Sequence, residues 1–409
     1  MLSTLNRRSF LTGLGCTAAA SPFLTPVTFA SGTGENRLVV IILRGGMDGL
    51  DALRPYGDAN FKSLKGRADQ AKVTEQQDLD GFFALHPSLT GLMPLWKAGE
   101  LGFAHAVSTP YRDKRSHFDG QDLLEAGGAD LDGNIRDGWL NRMLQNYPGL
   151  QSETAYAVGR GDMFLMKGTA PVANWSPDAG LYGLTPQGLS LAGMLMEGDP
   201  LFEAAFSEAV SLSGESMGAM DVSNESGEMV MSAMRQSARD AAKGGGHVQI
   251  AEFAASKLKE ASRIAAFSLN GWDTHANQSR TLAQPLTRLA EVILSLRSGV
   301  GEDVWGKTAV IAMTEFGRTA RLNGNGGSDH GTGGLMVMSG GALRGGRVWS
   351  DWPGLGEADL YQKRDLMPTR DVRAYTGWLM RGLFGFDSGF IESTIFPGLD
   401  MGANPKLIT

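Results

Sequence analysis

Histidine is scarce in this chain, with six in 409 residues, so the acidic company some of them keep is informative. "NGWDTHANQSR" carries Asp273 and His275, and "TEFGRTARLNGNGGSDHGTGG" carries Glu315, Arg318, Asp329 and His330. Carboxylates and imidazoles together suit a divalent cation of hard or borderline character, Zn or Mn in preference to Mg or Ca. A further carboxylate, Asp48, follows a sharp glycine break in "RLVVIILRGGMDGLDALRP". Each residue also has a plainer use. Asp48 suits a helix cap, Asp273 and His275 a surface turn, Glu315 an ion pair with Arg318, and Asp329-His330 a solvated loop. Their shared placement after predicted strands favours one common site.

A second segment, "YRDKRSHFDGQDLLEAGG", puts Ser116 just ahead of a helix that should begin near Asp119. Free N–H groups and the helix dipole favour negative charge there, so a serine is well placed to attack or hold an anion. Taken alone, Ser116 would be no more than an N-cap. His117 and Asp119 are candidates for acid or base, and His117 equally for a metal ligand. Arg112 and Arg115 could hold an oxyanion, and Arg318, Arg115 or Arg44 could meet spread negative charge.

The elements that must position these residues are short apolar runs: Leu38–Leu43, Leu101–Val107, Ala155–Val158, Ile264–Leu269, Thr308–Met313 and Leu335–Met338. Amphipathic helical patterns lie between them. One places Leu282, Leu286, Leu289, Val292, Ile293 and Leu296 on one face; another does so with Ile250, Phe253, Ala254, Leu258 and Ala261. The stretch from Leu366 to Phe384 reads as a closing helix with Pro368 near its start. Strands alternating with such helices predict an α/β fold, a mostly parallel central sheet with helices on both faces. Ligands of such sheets sit beyond the carboxyl ends of the strands. Residues 180–246, rich in Ser, Met, Glu and Gly, read as a helical cap or a mobile insertion. His86 and His105 read as packing histidines and His247 as a loop residue.

The first thirty residues read as an export signal. Arg7-Arg8 followed by Ser9-Phe10-Leu11 is of the twin-arginine type, with cleavage expected after Ala30. Pro22 and Pro26 interrupt the apolar run, so no permanent membrane span is expected. The expected location is periplasmic or secreted, with the twin-arginine export machinery as one partner. Cys16, the single cysteine, lies in this signal, so the exported chain has no disulfide and no thiol nucleophile. A net charge of -7 offers no basic face to nucleic acid.

"LRGGMDGLDALRPYGD", "LHPSL", "RSHFDGQD", "WDTHANQ", "TEFGRTARLNGNGGSDHGTGG" and "GGRVWSDWPGL" stand in the order seen in the exported family of unknown function numbered 1501, which the chain resembles over nearly all its length after the signal. That family in turn resembles the alkaline phosphatase and sulfatase superfamily. The resemblance implies a metal-dependent hydrolase or transferase acting on a phosphate or sulfate ester. It implies Asp48 on one metal, Ser116 as attacking residue, Asp273 and His275 as ligands of another metal, Glu315 as a ligand, and His330 as the last imidazole with Asp329 ligating or orienting it. Two departures stand out. Glu315-Phe316 occupies the place where the superfamily often has Asp-His, and no C/S-x-P-x-R frame surrounds Ser116. The first favours a rival reading, an exported binding or scaffold protein that keeps the fold without the chemistry.

Overall fold

The structure, a computed structural model, describes residues 34–66, 77–130, 135–147, 155–158, 163–175 and 246–409. The export signal with Cys16 and the expected cap at 180–246, up to its last residue, lie outside the described residues. Nine strands form the main sheet: β1 (Arg37–Arg44), β2 (Leu101–Ser108), β3 (Ala155–Val158), β4 (Ala173–Trp175), β5 (Ile264–Asn270), β6 (Thr308–Met313), β7 (Gly334–Ser339), β8 (Arg347–Trp349) and β9 (Arg370–Asp371). Their order is β8-β2-β7-β6-β1-β5-β3-β4, with β9 also on β2.

β1 is central because its sequence allows nothing else. Leu38 to Leu43 are all fully buried, and such an aliphatic run needs a layer on each face and a paired strand on each edge. β5 and β6 supply the edges, both parallel, with Leu38 opposite Ile264 and Ala309. On one face Leu38, Val40 and Ile42 join a core with helices α4 (Trp139–Gln145) and α8 (Val372–Phe384). Helices α5 (Gly246–Lys259) and α7 (Ala283–Val300) pack together and against β5. The remaining helices needed below are α1 (Gly49–Ala52), α2 (Phe61–Lys65), α3 (His117–Ala126) and α6 (Gln278–Thr281).

The six strands expected from the sequence all form, within a residue or two of the expected ends. One runs against the others: β7 is antiparallel to both β6 and β2. This reversal matters for chemistry, because β7 begins at the edge where its neighbours finish. The two- and three-residue strands β4, β8 and β9 carry too little apolar pattern to be read in advance. The closing helix starts later than expected. Asp371 caps it by accepting from Arg373 N, so Pro368 belongs to the preceding loop. His247 lies in the first turn of α5, not in a loop, and pairs with Glu291. Among the described residues, no helix is long and apolar enough to cross a membrane.

Candidate metal centre

Parallel register brings the loops together. Arg44, the last residue of β1, lies opposite Asn270, the last of β5, and Ile42 lies opposite Met313, the last of β6. The chain leaving β1 turns on Gly45, at φ +124°, where a Cβ would stand 2.7 Å from Asp273 N. A glycine is required because the Asp273 loop passes directly over this turn. β5 delivers Asp273 and His275, β6 delivers Glu315 and Arg318, and the loop after β2 leads to His117 at the start of α3. The long connection entering β7 from its amino end brings Asp329 and His330 to the same edge.

Ligand atoms of His117, Asp273 and His330 all lie within 4.8 Å of one another. His275 closes on the same group: its Nε2 is 2.9 Å from Asp273 Oδ1 and 3.0 Å from His330 Nε2. His330 Nε2 is 3.3 Å from Asp273 Oδ1, and His117 Nε2 is 3.3 Å from Asp273 Oδ2.

The opposite nitrogen of each ring explains which way these atoms face. His117 Nδ1 is 2.8 Å from Glu315 Oε1, His275 Nδ1 is 3.1 Å from Asp329 Oδ1, and His330 Nδ1 is 2.8 Å from the Arg115 carbonyl. Each partner is an oxygen acceptor, so a proton on each Nδ1 satisfies it, and in that tautomer each ring turns its Nε2 toward the shared centre. In that tautomer His275 Nε2 and His330 Nε2, 3.0 Å apart, would bring two lone pairs together, an arrangement that a cation between them relieves. His117 Nε2 is shielded from solvent and makes no hydrogen bond, Asp273 Oδ2 lying off its bonding direction. Tetrahedral zinc, with Zn–N of about 2.0–2.1 Å, implies ligand–ligand edges of roughly 3.3 Å. The separations of 2.9–3.3 Å among His275 Nε2, His330 Nε2 and Asp273 Oδ1 lie near that edge, while His117 Nε2 reaches the other carboxylate oxygen, Oδ2, at 3.3 Å. Imidazoles and a carboxylate gathered in this way are a donor set that fits a divalent cation.

Local charge agrees with these roles. Burial alone would raise the Asp273 carboxyl, but Arg318 and the neighbouring histidines outweigh it and hold it below the usual range. Glu315 is fully buried, which again tends to raise it. Hydrogen bonds from His117, Gln121 and the Gly45 amide overcome that and hold it low. The bond to Glu315 pushes His117 upward against its burial, and burial draws His330 down. The Asn323 amide is the chief group holding Asp329 low.

The remaining expected site residues fall into other places. Glu315 stands behind His117: its Oε1 accepts from Gly45 N at 2.9 Å as well as from the imidazole, and its Oε2 from Thr314 Oγ1 at 3.0 Å. Asp329 stands behind His275 in the same way, a backing carboxylate of the kind that fixes a ligand's tautomer. Asp48 does not join the group. It caps α1, and its Oδ2 accepts from Lys65 Nζ at 2.7 Å and Gln278 Nε2 at 2.6 Å in a buried polar cluster. The Lys65 ammonium, also 3.7 Å from Asp51, stands where a cation on Asp48 would have to be.

Arg318 is not free to meet a substrate. Its side chain is fully buried. Nε donates to the Gly46 carbonyl at 2.6 Å, Nη1 to Ser328 at 2.9 Å, and Nη2 to Gly45 at 2.6 Å, Trp272 at 3.1 Å and Asp273 Oδ1 at 2.5 Å. One guanidinium thus ties together the turn after β1, the Asp273 loop and the loop before His330. Ser116 caps α3, its Oγ accepting from Asp119 N at 3.4 Å, and sits one residue before His117. Asp119, half-buried in the first turn of that helix, is favoured there by the dipole. Lys65, Gln121 and Gln278 were not foreseen. Nothing in a single sequence marks a lysine or an amide as the partner of a distant carboxylate.

No curated protein matches the sequence. Among solved structures, alkaline phosphatase from the Antarctic bacterium TAB5 aligns with a TM-score of 0.35 and 11% identity, over 76% of this chain and 92% of that one. The soluble domain of lipooligosaccharide phosphoethanolamine transferase A from Neisseria meningitidis aligns at 0.35 and 9%, over 90% and 92%. The C-terminal periplasmic domain of EcEptC from Escherichia coli, in complex with Zn, aligns at 0.37 and 10%, over 94% and 96%. Scores of this size describe a loosely shared course of the chain and say nothing about the site. The family described as "Protein of unknown function (DUF1501)" matches residues 35–378, the greater part of the sequence, and this chain belongs to it.

Proposed function

We propose that this protein is an exported, metal-dependent hydrolase or transferase acting on a phosphate or sulfate ester. The observation that carries the metal part is the inward convergence of His117, His275 and His330 Nε2 with the Asp273 carboxylate. The ester class rests on the order of the sequence motifs and their resemblance to the phosphatase and sulfatase superfamily. A divalent ion held by these four side chains would polarise an ester oxygen and lower the pKa of a neighbouring hydroxyl or water. The protein supplies the rest. Ser116, beside ligand His117, presents its hydroxyl at the amino end of α3, where N–H groups and the dipole favour the developing negative charge. Arg318 holds Asp273 and the three loops in register, so the ligand set is assembled before substrate arrives. Arg115 is exposed on the loop whose carbonyl orients His330, and its guanidinium is the one proposed to meet the anionic ester. Export follows the twin-arginine signal, and the site of action is the periplasm or beyond.

The test starts from the exported form of the chain. Bound metal is measured by elemental analysis, and aryl phosphate and aryl sulfate esters are offered with and without chelator. The expected result is zinc or manganese in the protein and turnover of one ester class that chelation abolishes. His330→Ala should lose both metal and turnover. Ser116→Ala should keep metal and lose turnover; retained turnover would assign the attack to water and leave Ser116 as a cap. A protein with neither metal nor turnover would overturn the proposal in favour of a binding or scaffold role.

A further inference from the structure

Behind Glu315 stands a second pair of side chains. Gln121 follows His117 by four residues on α3, so both reach the same carboxylate. Gln121 Nε2 donates to Glu315 Oε1 at 3.1 Å. A glutamine amide can present either end, but here Arg44 removes the choice: its Nη1 donates to Gln121 Oε1 at 2.7 Å. Arg44 is itself held, since its Nη2 lies 2.6 Å from Glu125 Oε1, and that buried carboxylate accepts from Leu165 N at 2.9 Å. The chain of partners therefore runs from Arg44 through Gln121 and Glu315 to His117, every amide and carboxylate having a fixed direction.

From this arrangement we infer that Gln121, oriented by Arg44, is a positioning residue that sets the tautomer of His117. Gln121 Nε2 and Gly45 N both donate to Glu315 Oε1 and hold that oxygen as an acceptor 2.8 Å from His117 Nδ1. His117 must then present Nδ1–H to it, which leaves Nε2 as a lone pair facing Asp273 and His330. With the amide reversed, a carbonyl oxygen would face the carboxylate, and repulsion would turn Glu315 away from the imidazole. The inference about affinity rests on the proposed metal site; the inference about the tautomer does not.

The test uses Gln121→Leu and Gln121→Glu, at a half-buried surface of α3, with melting temperatures confirming that both fold. Imidazole 15N spectra of the metal-free proteins report the tautomer directly. Wild type should show His117 with Nδ1 protonated, and both variants should lose that preference. Zinc affinity by chelator competition should fall roughly 10-fold in both, the size expected for removing a backing partner. Arg44→Gln should act in the same direction and Arg44→Lys should restore much of the loss. If His117 keeps its Nδ1–H form in both Gln121 variants, the inference is overturned, and a lowered melting temperature would then mark Gln121 as packing alone. Failure of the wild type to bind zinc would overturn the metal reading, while the metal-free spectra would still decide this one.

Discussion

Asp48→Asn separates the two places an acidic residue at the end of β1 can serve, as a ligand or as half of a buried ion pair. The substitution keeps the size and the α1 cap but removes the charge beside Lys65. Asp48 is 1% exposed and Lys65 2%, and their atoms are 2.7 Å apart. At an effective dielectric of about 20 the gross attraction is roughly 6 kcal/mol, most of it consumed by taking two ions out of water. What the variant exposes is the cost of a stranded ammonium, about 3–5 kcal/mol for a broken buried pair. Asp51 Oδ2 remains 3.7 Å from Lys65, which places the expected loss near about 3 kcal/mol. For a chain of 409 residues the melting entropy is about 0.9 kcal/mol/K, so the midpoint should fall by roughly 3–4 °C. Calorimetry of metal-free protein reads that number, and a zinc titration reads the alternative. Lys65→Met should cost more, because two carboxylates lose their cation, and the double variant should cost less than the sum. The expected pattern is lost stability with zinc stoichiometry and affinity unchanged. An unchanged midpoint with a roughly 100-fold weaker or missing zinc would refute the reasoning and return Asp48 to the metal.

Arg318→Lys should destabilise by about 3 kcal/mol in denaturant titrations, because an ammonium cannot reach all of the carbonyls that the guanidinium fork satisfies; a loss under about 1 kcal/mol would show that the loops hold themselves. Gly45→Ala should cost about 2 kcal/mol and weaken zinc binding, whereas Gly271→Ala, also at positive φ but with open space at its Cβ, should cost only backbone strain of about 1 kcal/mol. His105 gives a pH signature: burial between Phe83 and Trp352 pushes it down to about 4 from 6.5. The unfolded chain takes this proton first, so its contribution is intact above pH 6.5, fades as pH falls toward 4, and at pH 4.5 amounts to a loss of about 2.5 kcal/mol. His105→Gln should flatten that part of the pH–stability curve, and parallel curves for both proteins would contradict the assignment.

How much of this was legible in the sequence depends on how local the cause is. β1 could be read because six aliphatic residues in a row report burial on both faces without reference to any partner, and β5 and β6 because Ile264–Phe267 and Ala309–Met313 are unbroken apolar runs. The reversed direction of β7 could not, because direction is set by pairing with β2 and β6, and no residue of Leu335–Met338 encodes it. The histidine-bearing loops could be located because strand ends and glycines mark them. The division of labour within the loops was less visible. Asp329 and Glu315 are the same kind of residue as a ligand carboxylate, and their place behind an imidazole is fixed by which side of the ring they reach. Arg318 drew attention as a charge facing an anion, but the carbonyls that enclose it come from three segments that meet only in the fold.

The pair Glu315-Phe316 shows why that distinction bears on function. As a word in the sequence it departs from Asp-His and favours a lost site. In the fold each member acts on an imidazole. Glu315 has one more methylene than aspartate, enough to pass behind His117 and reach its Nδ1 at 2.8 Å. Phe316 is stacked 5.1 Å from the His117 ring at 29° and lies 5.0 Å from the His330 ring. An aromatic face held against two imidazoles removes water from their edges and restricts their rotation, which strengthens the hydrogen bonds that fix the tautomers. Gly46 is needed for the same reason, since a Cβ there would come within 2.7 Å of the Phe316 ring. The departure from the Asp-His word therefore does not by itself mark a lost site, because both residues hold His117, at the start of α3, in the cluster.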